Sequence, residues 1–171
     1  MIGIINKNIG AYSIIEKIHH NFPNIDIYLY GEENEEAAIK IMIEKKCKII
    51  ILSEENKPLI NKYPEIIFIS SKRKHQKNEY YLENNDLIKA VEEGNLKVVK
   101  EILNKIDIPK EKTIVINNPI LLFIKEILEE TYKNKIIDNT NYLIDSINEI
   151  IQKEKLIINK IGNIKRIIIE W

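Results

Sequence analysis

The chain has 171 residues, enough for one moderate domain or two small ones whose core needs no disulfide or metal. Its 26 Lys and Arg balance 26 Asp and Glu, which removes any global electrostatic case for a nucleic-acid partner or an anionic membrane. The single cysteine, Cys47, excludes an intrachain disulfide and a cysteine-based metal cluster, and it fits a reducing, cytoplasmic setting.

The opening residues read as a buried strand, IGII over 2–5, with no basic stretch ahead of it of the kind that begins a secretory leader. No apolar run approaches the ~18 residues of a membrane span. Residues 10–21 place Ile14, Ile15 and Ile18 on one face and Glu16 and Lys17 on the other, which predicts a helix. IDIYLY (25–30) is a second strand after Pro23-Asn24, and residues 34–46 form a Glu- and Lys-rich helix with Ala38, Ile39, Met42 and Ile43 inward. KIIIL (48–52) is a third strand, 53–56 a turn, and EIIFIS (65–70) a fourth strand. Solid Ile and Val runs alternating with helices predict parallel sheets covered on both faces.

SSKRKHQKNEYY (70–81) is basic and lacks apolar periodicity, so it reads as a linker. Beyond it come two helices within 85–106 broken at Gly94-Asn95 and a buried strand at 112–117. A helix over 119–132 follows, opened by Pro119, then a short strand at 135–138 and a helix over 140–153. The tail suggests strand, Gly162-Asn163 turn, strand. The expected organisation is α/β, with an N-terminal half at 1–70, a basic linker at 71–80 and a C-terminal half at 81–171.

With the elements in this order, the turns between them resemble those of glutamate racemase, a cofactor-independent member of the aspartate/glutamate racemase superfamily. That family opens on a strand and a D-S-G-V-G-G turn. Here GIINKNIGAYSII keeps Gly10 and Ser13, has Ala11 close, and carries Asn6 at the Asp position. Its Y-F-G-D turn is answered by Tyr30, Gly31 and Glu32, and its first catalytic cysteine by Ser53 or Glu54, depending on register. Val91-Glu92-Glu93-Gly94 matches a later V-E-E-G, and TIVINNPILL (113–122) keeps the second cysteine's strand and its Pro-Ile-Leu-Leu while lacking the Cys-Thr-His between them. Asp138 matches the family's L-I-D-S-G segment. The matches run co-linearly over nearly the whole chain. A P-Y-G segment after strand two and most of a strand-helix unit near residue 70 are missing. The resemblance implies two small pseudo-symmetric parallel-sheet halves, the second trimmed, and no cofactor.

Racemising an α-carbon without a cofactor takes two bases, one on each face of the substrate, and the family uses two thiols. Neither turn here has one. Asn6, Asn117 and Asn118 cannot exchange a proton near neutral pH, and Ser53 has no evident activating base. The expectation is a degenerate racemase-like protein that keeps a cleft between the halves lined by Asn6, Asn8, Tyr30, Ser53, Glu54, Asn117 and Asn118. Those groups suit a small polar ligand such as an amino acid. The expected partners are that ligand and a second copy of the chain as a homodimer, with no nucleic acid and no membrane. The alternative is a live racemase or one-base enzyme on the same scaffold, with Glu54 or Ser53 as catalytic candidates. A buried Glu54 facing Asn6 would favour the live enzyme, and a solvent-facing Glu54 the degenerate protein.

Other chemistry-bearing residues have blander readings. Cys47 precedes its strand, at the end opposite to where ligands bind parallel sheets, and reads as a packing or surface thiol. His19 and His20 diverge by ~100° on a helix and make no metal pair. His75 falls in the basic stretch and reads as solvated. DLIKAVEEGNLKVVKEILNK shares the spacing of one ankyrin repeat, but neither flank supplies the further repeats an array needs.

Overall fold

The structure is a computed structural model that describes residues 1–6, 9–31, 34–154 and 166–170. Its elements run β1 (Ile2–Ile5), α1 (Gly10–Asn21), β2 (Ile27–Tyr30), α2 (Glu35–Glu44), β3 (Ile49–Leu52), α3 (Lys57–Lys62), β4 (Ile67–Ser70), β5 (Glu79–Tyr81), α4 (Asn85–Glu92), α5 (Leu96–Leu103) and β6 (Thr113–Ile116). A 3-10 helix (Pro119–Ile124), α6 (Lys125–Thr131), β7 (Ile136–Asp138), α7 (Thr140–Lys153) and β8 (Ile167–Glu170) complete them. They divide into two compact units, one of Met1–Lys72 with Thr140–Trp171 and the other of Arg73–Asn139.

The first unit is built on a five-stranded sheet in the order β4-β3-β1-β2-β8. Every pairing in it is parallel. Because strand side chains alternate between faces, Ile2, Ile4, Ile27, Leu29, Ile49, Ile51 and Ile69 share one face. They pack against Ile14, Ile15 and Ile18 of α1 and Leu143 and Ile147 of α7. On the other face Ile5, Tyr28, Ile50 and Leu52 meet Ala38, Ile39 and Met42 of α2, with Cys47 among them. Gly3 stands where α2 comes closest. A Cβ there would lie 2.4 Å from the Met42 sulfur, which explains a glycine inside an otherwise β-branched strand.

The second unit carries a three-stranded parallel sheet, β5-β6-β7. Leu87, Ala90 and Val91 of α4 and Val99 and Leu103 of α5 form its core with Ile116, Ile120, Leu121, Ile124 and Leu128. Asn84 caps α4 by accepting from Leu87 N–H at 2.9 Å, and Asn95 caps α5 by accepting from Val98 N–H at 3.2 Å. Between the two helices Gly94 sits at φ +67°, a left-handed turn that glycine takes without a Cβ clash.

The division differs from two consecutive halves, because α7 and β8 return to the first sheet. The apolar stripe of α7 supplies Leu143 and Ile147 to a face that α1 alone does not cover. The 71–80 stretch also differs from a plain linker. Its end starts β5, and Arg73 pairs with Glu79, which in turn accepts from the Tyr81 hydroxyl. Mutual pairing lets these polar groups be half-buried. His75 stacks on Tyr81 with ring centroids 3.9 Å apart but stays exposed beside Glu83. The single helix expected over 119–132 is a 3-10 segment followed by α6. At the tail, β8 pairs parallel with β2, while the strand and turn expected ahead of it lie outside the described residues.

Candidate functional site

In the first sheet, β1 is flanked by β2 on one side and β3 on the other, so successive connections leave in opposite directions at the β1/β3 boundary. Open parallel sheets take ligands outside the strand carboxyl ends at such a switch point. Ile4 is in register with Ile51, and continuing that register two residues sets Asn6 beside Ser53. Asn6 is buried, and its N–H donates to the Tyr30 carbonyl at 3.3 Å. Tyr30 ends β2, lies over Tyr28 with ring centroids 6.3 Å apart, and packs on the α2 face of the core.

Beyond β3 the chain opens a depression of about 550 Å³ lined by Glu35, Ser53, Glu54, Glu55, Asn56, Lys57 and Pro58. Of the residues expected at a site, Ser53 and Glu54 line it, and Asn6 and Tyr30 do not. Asn56 ties its walls together. Its Nδ2 donates to Glu35 at 2.9 Å, and its Oδ1 accepts from Leu59 N–H at 3.3 Å to start α3. Asn56, Lys57 and Pro58 form a helix-start signal, an Asn cap ahead of a first-turn proline, that a turn assignment at 53–56 passes over.

Glu54 faces solvent, with 71% of its side chain exposed, and receives Lys72 Nζ at 2.5 Å. The hydrogen bond and the charge of Lys72 hold its carboxyl below the usual carboxylate range. That is opposite to what a general base for a carbon acid needs, which is a raised pKa in a water-excluded pocket. The Ser53 carbonyl accepts from the Ser71 hydroxyl at 3.3 Å, fastening the β3 turn to the end of β4. Lys72 and Ser71 both come from the basic stretch, where composition alone suggested solvated charge.

Asn117 and Asn118 belong to the second unit. Asn117 follows β6 and is almost fully buried. Its Oδ1 accepts from Arg73 N–H at 3.1 Å and its Nδ2 donates to the Arg73 carbonyl at 3.4 Å, a two-point clamp on one backbone residue. Asn118 Oδ1 accepts from Ile120 N–H at 3.1 Å and starts the 3-10 helix. Both amides thus have architectural work in their own unit. Asn8 lies outside the described residues.

Cys47 is buried ahead of β3, at the amino end of the sheet, and burial pushes its thiol up to about 11. It is a packing thiol remote from the strand carboxyl ends. Among the described residues no cluster of His, Cys, Asp and Glu could hold a metal, and no helix is long and apolar enough to cross a membrane.

No family model matches the chain, and no curated protein matches it either. Solved structures do. Glutamate racemase from Thermus thermophilus, in complex with beta-chloro-D-alanine, superposes with a TM-score of 0.77 at 12% identity, over 95% of this chain and 84% of that one. Glutamate racemase from Francisella tularensis, in complex with D-glutamate, gives 0.71 at 15% identity over 98% and 85%. The isoform RacE1 from Bacillus anthracis gives 0.66 at 14% identity over 90% and 82%. The chain has a glutamate-racemase-like α/β fold, and at these identities the likeness speaks to the fold alone.

Proposed function

We propose that, on this racemase-like scaffold, the chain binds a small polar ligand at the carboxyl end of β3 and does not racemise it. The carrying observation is the state of Glu54. Glu54, the catalytic candidate that lines the depression, is solvent-facing, ion-paired to Lys72 and held in its weakly basic form. Two-base chemistry would need a second group, and Asn6 offers an amide where a proton acceptor is required. Glu35, Glu54 and Glu55 outnumber Lys57 and the Lys72 that pairs with Glu54, so the depression is net acidic by one charge. That favours the ammonium end of an amino acid and disfavours a dicarboxylate such as glutamate.

The test is loss of the α-proton signal of L- and D-glutamate and of L- and D-aspartate in heavy water, followed by proton NMR with purified protein. No exchange is expected, while neutral or cationic amino acids raise the melting temperature more than glutamate does. Exchange that disappears in Glu54→Gln would overturn the proposal and make Glu54 the base of a one-base enzyme.

A further inference from the structure

The outer edge of β8 carries a pattern that points to a partner. Ile27 N–H donates to the Arg166 carbonyl at 3.1 Å and Gly31 N–H donates to the Glu170 carbonyl at 2.9 Å. Arg166, Ile168 and Glu170 therefore turn their backbone groups toward β2. Because strand residues alternate, the N–H and C=O of Ile167 and Ile169 point to the open side. Among the described residues β8 ends the sheet, and nothing pairs with that side. The side chains divide the same way. Ile168 joins the core on the α2 face, whereas Ile167 and Ile169 stand on the opposite face, 44% and 37% exposed. The strand holds none of the prolines, glycines or bulges that usually blunt an edge.

The charges select a register. Arg166 lies just before the strand and Glu170 ends it, with three isoleucines between them. Glu170 is anchored from inside by the Tyr28 hydroxyl at 2.5 Å and by Lys45 at 3.8 Å, yet 46% of its side chain remains exposed. Burial and that carboxylate hold the Tyr28 phenol protonated, so the anchor persists at ordinary pH.

We propose that β8 pairs antiparallel with β8 of a second copy about a two-fold axis through Ile168, joining two five-stranded sheets into one. In that register Ile167 faces the partner's Ile169, and each such pair exchanges both of its backbone hydrogen bonds through the outward groups. Arg166 falls opposite the partner's Glu170 in a non-hydrogen-bonded pair, where side chains come closest and opposite charges attract. A two-fold through Ile167 or Ile169 keeps the backbone pairing but breaks the Arg166–Glu170 match. One patch serves both copies, as a closed dimer requires. The contact is smaller than a standard stable interface, so dimerisation depends on concentration. This inference does not depend on what the first unit binds.

Sedimentation velocity of the full chain, from low micromolar to several hundred micromolar, tests it. The expected result is a monomer–dimer equilibrium. The double substitution Ile167→Lys with Ile169→Lys changes only exposed side chains. It should abolish the dimer while circular dichroism and melting temperature stay put. Arg166→Glu sets like charges opposite each other and should raise the dissociation constant about tenfold at low salt, less at high salt. Phe123→Lys, an exposed apolar residue of the other unit, should leave the dimer unchanged. A chain monomeric at every concentration, as it would be if another segment covers the edge, overturns the proposal. So does a dimer that survives both β8 variants, or one lost through Phe123→Lys alone.

Discussion

Asn117 spends its amide on Arg73, so a residue whose type suggested ligand contact is holding backbone instead. Asn117→Ala would leave the Arg73 N–H and C=O without that partner. Urea denaturation should report a loss of about 1–3 kcal/mol with no change in ligand-induced melting shifts. Cys47 behaves as a core residue. Its thiol stays neutral in the fold, raised from an ordinary 9.0 to about 11. A group that binds its proton more tightly when folded contributes stability that is complete below the unfolded value and lost as pH rises through the folded one. Stability should therefore decline between about pH 9 and 11, and Cys47→Ser should flatten that decline in thermal melts followed across the range. Thiol reagents at pH 8 should label Cys47 only as the protein unfolds. Which residue types sit near the switch point was legible from the order of strands and turns. Which of them were already committed to backbone was not, since the clamp on Arg73 joins residues far apart in sequence.

At the scale of elements, the strands were the most legible, because a parallel sheet covered on both faces demands nearly unbroken Ile and Val. The helices α1, α4, α5 and α7 were legible from their apolar spacing, and Asn84, Asn95 and Gly94 mark their ends. The short α3 is not legible from periodicity, because its six residues give too little period to stand out. β5 was hidden by its composition. Glu79 and Tyr81 look solvated until Glu79 is seen to pair with Arg73 and to accept from the Tyr81 hydroxyl. The destination of α7 was equally hidden, since an apolar stripe says that a helix packs but not on which sheet. Ile147 is fully buried against α1 and the first sheet. Ile147→Ala should cost about 2–5 kcal/mol, seen as a lowered urea midpoint. Leu103→Ala, in the second unit's core, should cost a similar amount while leaving the first unit's amide-exchange protection intact.

For the whole molecule, the lesson is one of connectivity. Residues 73–139 form a self-contained unit set into the chain of the other. Both of its ends are fixed to the same place. Arg73 is held by Asn117, and Asn139 N–H donates to the carbonyl of Ile116 at 3.2 Å. A fragment of residues 73–139 is therefore expected to unfold cooperatively by circular dichroism, with the small margin usual at that size. A fragment of residues 1–72 is expected to show no cooperative transition, since it lacks the α7 stripe and the β8 edge.

That α7 and β8 close the first sheet also sets an order in time. A ribosome delivers residues 1–72 ahead of the rest, yet the sheet built on them waits for α7 and β8, while the stretch made second carries a sheet and a core of its own. Of the two units, the one started first is the one completed last. During that wait β1 to β4 expose the isoleucine face that α7 will cover, and a nascent chain halted before residue 140 should be the form that chaperones bind most strongly.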